Sequence, residues 1–192
     1  MPDSVSLRWA VDAISDLEQT TDPEERRKRQ NRARMFYNDE DLRPDGDVSQ
    51  GKTAQYGRAG VSCLRVILAA HESGLDRNFI GQMSLFFNAP VTDLGKEAAP
   101  GLRITLPTNV ELAVVRVLTG DAVSLVAERY RKPHGPFAWR FRFDPKPVSD
   151  LPAELAEAVA LANEANRAGQ GIVLTVVFPF SELVLPFLGK MN

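Results

Sequence analysis

The chain is poor in the residues on which covalent and metal chemistry usually rests. Of its 192 residues, one is cysteine (Cys63) and two are histidine (His71 and His134). A single cysteine excludes an intrachain disulfide, and one cysteine with two distant histidines has no metal-ligand spacing. Cys63 stands among Val61, Leu64, Val66 and Ile67, so a buried, inert thiol is expected rather than a nucleophile. His71, beside Glu72, reads as a surface residue, and His134, between Pro133 and Gly135, as a turn residue. Long apolar runs are also lacking. The longest, around 110–118 and 172–180, are too short to cross a bilayer. No basic segment followed by an apolar core opens the sequence, so no secretory signal is expected. No nucleophile–base pair, glycine-rich phosphate loop or set of facing carboxylates occurs, which argues against an enzyme and gives no reason to expect a cofactor. A net charge of −2, with 44% hydrophobic and 25% charged residues, fits a soluble, cytoplasmic globular protein.

Against that near-neutral background, positive charge is concentrated in one place. Residues 24–34 (Glu-Glu-Arg-Arg-Lys-Arg-Gln-Asn-Arg-Ala-Arg) hold six of the 23 Lys and Arg. Such a block is either a solvated helix face, with Glu24–Lys28 and Glu25–Arg29 as pairs four residues apart, or a footprint for a polyanion. Asp22-Pro23 supplies an N-cap and a first-turn proline, and Glu24 and Glu25 suit the positive end of the helix dipole. The spacing predicts a helix from there to about Tyr37, with Phe36 in the core. Before it, Trp9, Ala13, Ile14 and Leu17 share one helical face, ended by Thr20–Pro23. After it, residues 44–55 read as a loop with Gly46 and Gly51 as turn points, flanked by two short strands. Residues 58–72 resume a helical period through Val61, Leu64, Ile67 and Leu68. Gly74 suits a C′ position, and a helix over 75–87 would bury Phe79, Ile80, Met83 and Phe86.

Residues 88–101, with two prolines and two glycines, read as a linker. Beyond it the period changes. Residues 103–106, 110–118 and 122–130 read as strands, with Thr119-Gly120-Asp121 as a hairpin turn. Residues 137–143 alternate aromatics with Ala138, Arg140 and Arg142. The exposed face of a half-buried strand explains the two arginines, with stacking on single-stranded nucleic acid as the alternative. Residues 151–168 form an amphipathic helix, 172–178 a buried strand, and Ser181-Glu182 starts a final helix carrying Leu183, Leu185 and Leu188.

The order helix, basic helix, wing-like loop, helix, Gly-Leu, helix resembles the winged helix-turn-helix of the mercury-resistance regulator (MerR-like) family. Three segments carry the resemblance. Arg32-Ala33-Arg34-Met35-Phe36-Tyr37 to Pro44 is similar to the end of that family's recognition helix. Tyr56 to Ile67 is similar to the segment leaving the wing, and Gly74-Leu75 to Met83 to the glycine-leucine entry of the fourth helix. The stretch from Thr20 to Pro23 replaces the usual glycine-valine-serine turn, and no long pairing helix follows. The resemblance covers residues 9 to about 87. It implies an α+β protein: an N-terminal winged helix-turn-helix domain over 1–90, then a small α+β domain over 101–192 with a mainly antiparallel sheet. The second domain would serve dimerisation, partner contact or ligand sensing.

The function so implied is a nucleoid-associated transcriptional regulator that reads double-stranded DNA. Arg26, Arg29 and Arg32 would form one stripe in the major groove, with Arg27, Lys28 and Arg34 reaching flanking phosphates. Tyr37, Lys52, Tyr56 and Arg58 would add backbone contacts from the helix end and the wing. A second copy of the chain, and RNA polymerase or another regulator, are the expected protein partners, with no role for a membrane. A DNA-architectural or recombination-directionality factor, or a protein-interaction adaptor, is the alternative.

Overall fold

The structure, a computed structural model, describes residues 4–45, 53–91, 106–131, 137–145 and 172–191. Lys52 and the rest of loop 46–52, His134, most of the 88–101 linker, all but the last residue of the expected strand at 103–106 and the expected helix at 151–168 lie outside the described residues. The chain is α+β. In order the elements are β1 (Val5–Ser6), α1 (Leu7–Leu17), α2 (Pro23–Asn38), β2 (Gln55–Tyr56), α3 (Arg58–Glu72) and α4 (Arg77–Asn88). Then come α5 (Asn109–Leu118), β3 (Ser124–Arg131), β4 (Phe137–Asp144), β5 (Ile172–Phe178) and α6 (Phe180–Lys190). Among the described residues no helix is long and apolar enough to cross a membrane.

Local chemistry explains most boundaries. Ser6 caps α1 by accepting the Trp9 N–H, and Asp22 caps α2 by accepting the Glu24 N–H at 2.9 Å, with Pro23 in the first turn. Asp76 caps α4 through the Phe79 N–H at 2.7 Å. Gly74, with φ +78°, closes α3 in the left-handed region that glycine enters without strain. In α1 the core face is Ala10, Val11, Ala13 and Ile14, while Trp9 stays 37% exposed rather than joining it. Beside the wing-like loop, β2 pairs antiparallel with β1 (Val5 opposite Tyr56) instead of with a strand just before the loop.

The segment read as a strand at 110–118 is helix α5. Thr108 and Glu111 close a reciprocal capping box, and Val110, Ala113, Val114 and Val117 bury one face. Thr119-Gly120 is accordingly the end of that helix, with Gly120 at φ +100°, and not a hairpin turn. Three strands form an antiparallel sheet in the order β4-β3-β5, with Leu125 opposite both Phe143 and Phe178. β5 is an edge strand with Leu174 exposed, not the fully buried strand expected.

The two halves share one core. Phe79 of α4 is buried between Trp139, Phe141 and Phe178 of the sheet, with ring centroids 4.7, 5.4 and 6.3 Å away. α6 packs against α3, α5 and α1, and buries Phe180, Val184, Phe187 and Leu188 in the same apolar cluster as Ile14, Phe36 and Ile67. The segments 1–90 and 101–192 are therefore joined by continuous side-chain packing. Arg140 and Arg142 leave the sheet on the face opposite the aromatics. Both bind Glu128, which is 3% exposed, at 2.6 and 2.7 Å. Burial alone would raise that carboxyl, but hydrogen bonds and charge from the two arginines hold it below its ordinary value.

Candidate nucleic-acid interface

α2 is polar nearly all round: of its sixteen residues only Ala33 and Phe36 are buried. A helix with so little apolar surface must be held by other means, and ion pairs supply them. Positions 26, 29, 33 and 36 recur at helical spacing on one side, so Arg26 and Arg29 share the inward face with Ala33 and Phe36. Arg26 donates from Nε to the Thr20 carbonyl at 2.7 Å and from Nη2 to Asp16 Oδ1 at 2.6 Å. Arg29 lies deeper, with its side chain 12% exposed. Its Nη2 sits 2.6 Å from Glu18 and 2.9 Å from Glu72, and its Nε donates to the same Glu72 oxygen at 2.9 Å. Arg65 of α3 binds the other Glu18 oxygen. Two guanidinium groups and two carboxylates thus clamp the end of α1, the middle of α2 and the end of α3.

This geometry removes Arg26 and Arg29 from the expected DNA-facing stripe. The physical reason is their shared side with Phe36, a residue that the sequence already marks as core. The expected Glu25–Arg29 pair is absent for the same reason. Glu25 instead pairs with Lys28 at 2.8 Å, with Glu24 3.5 Å from the same ammonium. The hydrogen bond and charge of Glu25 raise the Lys28 ammonium above its ordinary value. Arg32 is half-buried and has no carboxylate within ion-pair reach among the described residues.

The outward side of α2 carries a different set. Arg27, Asn31, Arg34 and Asn38 fall at spacings of four, three and four, and all are exposed. Neither Arg27 nor Arg34 meets a carboxylate among the described residues. Arg34 also lines a cavity of about 310 Å³ with Ser6, Arg8, Val11, Gln30 and Thr53. Arg8 stands in the first turn of α1 with its side chain 81% exposed, 3.8 Å from Asp12. Gln30 closes the floor by donating to Asp12 at 3.0 Å. Nothing in the sequence marks Arg8: an isolated arginine before an apolar helix face carries no signal until the fold brings it to the same cavity as Arg34.

The two tyrosines differ in exposure. Tyr56 is 1% exposed and packs on Gly60, where a Cβ would lie 3.2 Å from the ring. Burial, then the neighbouring Tyr37 and Asp45, push its hydroxyl up to about 12. It cannot reach a phosphate. Tyr37 is half-buried and packs against the core cluster. Arg58 begins α3, half-buried, and already has an interaction of its own within the protein. Cys63 is buried and its thiol is pushed up by that burial, as the sequence implied. His71 is half-buried, edge-on to the Phe36 ring at 5.7 Å, rather than on the surface. Comparison of the chain with protein-family models and with curated proteins finds no match.

Proposed function

We propose that this protein is a DNA-binding transcriptional regulator that presents the outward side of α2 to the major groove. The observation that carries the reading is the exposed row Arg27–Asn31–Arg34, unpaired among the described residues and continued by Arg8. Helical spacing puts the three side chains along one ridge about 10 Å long, a length that fits a duplex groove. Arginine forks onto guanine O6 and N7, and asparagine onto adenine N6 and N7. The row therefore has the chemistry to distinguish bases as well as to hold phosphates. Arg8, Lys28 and Arg32 flank it and suit phosphate contacts. In this reading Lys52, from the segment between Asp45 and β2, adds a further phosphate contact. A regulator of this kind acts in the cytoplasm on the nucleoid, and reading a two-fold site takes a second copy of the chain.

The test begins with selection from a random duplex pool, followed by anisotropy titration of the full chain on the selected sequence. With four or five cations on phosphates, the logarithm of the association constant should fall with the logarithm of salt at a slope of about −4 per protomer. Joint replacement of Arg27 and Arg34 by alanine should lower affinity at least about thirtyfold, at roughly 1–3 kcal/mol for each lost base contact. Retention of full affinity in that double variant would overturn the assignment of this helix face.

A further inference from the structure

A separate cavity of about 230 Å³ lies in the seam between the helices and the sheet, bounded by α4, α5 and β4. Three aromatic rings form its floor. Phe86 is 5.8 Å from Phe141 at an interplanar angle of 25° and 5.5 Å from Phe143. The helical period of 75–87 suggested a buried Phe86. Phe87 takes the core position instead, and Phe86 is left half-exposed in this recess. Arg116 and Arg142 also line it. The Arg142 side chain leaves on the other face of the sheet, where Glu128 holds it at 2.7 Å with Asp144 3.9 Å away, so it gives the recess only its backbone. Arg116, in the last turn of α5, has no carboxylate partner among the described residues. Among the described residues the recess therefore combines stacked rings with one uncompensated positive charge.

Its polar groups are arranged as well as present. Asn109 donates from Nδ2 to the Phe86 carbonyl at 2.8 Å, which fixes the amide and leaves its own oxygen as an acceptor. The Trp139 N–H points away from β3, to Gln82 at 3.2 Å. By the alternation of an antiparallel strand, the backbone groups of Phe141 and Phe143 face the same open edge.

We propose that this recess binds a small aromatic carboxylate, its ring on Phe86, Phe141 and Phe143 and its carboxylate on Arg116. The volume holds roughly ten heavy atoms, below the range of drug-sized pockets, which sets the class at a ring with one short acidic arm. Planar rings prefer offset stacking on such a floor, and a guanidinium takes a carboxylate through two parallel hydrogen bonds. Because the ligand would touch α4, α5 and β4 together, it would tighten the seam between the helices and the sheet. The proposal does not depend on the DNA-binding reading.

Ligand-observed NMR on the full chain tests it, with phenylacetate, benzoate and indole-3-acetate as probes and phenylacetamide as the uncharged control. At least one acid should bind saturably, phenylacetamide should bind at least about tenfold more weakly than phenylacetate, and Arg116→Gln should cost the acid about tenfold or more. Leu112→Trp, which fills the recess with a ring, should remove binding of acid and amide alike. Arg116 is a partly exposed residue at a helix end, so the glutamine variant should stay folded, and its circular dichroism checks this. If no acid saturates below about 10 mM, or the amide matches the acid, or Arg116→Gln leaves affinity unchanged, the proposal is overturned.

Discussion

Replacing Arg29 by alanine separates a structural arginine from a DNA-reading one on the same helix. The side chain is 12% exposed and makes three contacts of 2.6–2.9 Å with Glu18 and Glu72. Removing one partner of a fully buried pair costs about 3–5 kcal/mol, whereas an exposed pair is worth about 0–1. Three features place this site between those limits. Both carboxylates keep about a quarter of their surface in water, Glu18 retains Arg65, and Arg29 Nη1 is buried without a partner. That last feature costs free energy in the native protein and is relieved by truncation. The expected loss is about 2 kcal/mol, which for a chain of this length lowers Tm by about 4–8 °C. Arg27→Ala, an exposed change, should stay within about 0.5 kcal/mol. Calorimetry reads the first quantity, and anisotropy at about 15 °C, where both variants are folded, reads DNA affinity. The clamp assignment requires Arg29→Ala to lower Tm while leaving DNA affinity near that of the parent, and Arg27→Ala to do the reverse. An Arg29→Ala protein with unchanged Tm and lost DNA affinity would refute the reasoning.

Three further outcomes follow from the fold. Phe79→Ala, at the junction of α4 with the sheet, should cost about 3–5 kcal/mol, and unfolding followed separately in the helices and in the sheet should show both halves melting together. Two separate transitions would mean that the shared core does not couple them. Glu128 has a folded pKa below its ordinary value of 4.5, so its contribution is fully present above that pH and is lost as pH falls through the folded pKa. Replacing Arg140 and Arg142 together by glutamine should remove that acid loss, so the variant is destabilised chiefly above pH 4.5 and its acid limb is flatter; an acid limb of unchanged slope would show that the triad contributes nothing. Gly74→Ala should cost about 1–2 kcal/mol in urea unfolding. No atom lies within 4 Å of the added methyl, so the whole cost comes from φ +78°, and a stabilised variant would contradict that account.

The helices that frame α2 follow from neighbouring residues alone. Asp22-Pro23 starts α2, Gly74 ends α3, and the apolar period of 58–72 buries Val61, Leu64, Ile67 and Leu68 as its spacing demands. The aromatic alternation at 137–143 likewise yields β4. At 110–118 four valines, Val110, Val114, Val115 and Val117, favour a strand by composition, but their spacing does not. The recurrence of buried positions at 110, 113, 114 and 117 and the Thr108/Glu111 box were local signals for a helix. Charge is a different matter. In a helix with two buried residues, periodicity scarcely distinguishes one side from another. The inward face was settled by Asp16, Glu18 and Glu72, delivered from α1 and from 43 residues downstream on α3. Local sequence set where the helices begin and end, because caps and φ preferences act within a few residues. Packing among distant elements decided which arginines are spent inside the protein and which reach solvent, because an ion pair forms only where the chain brings opposite charges together.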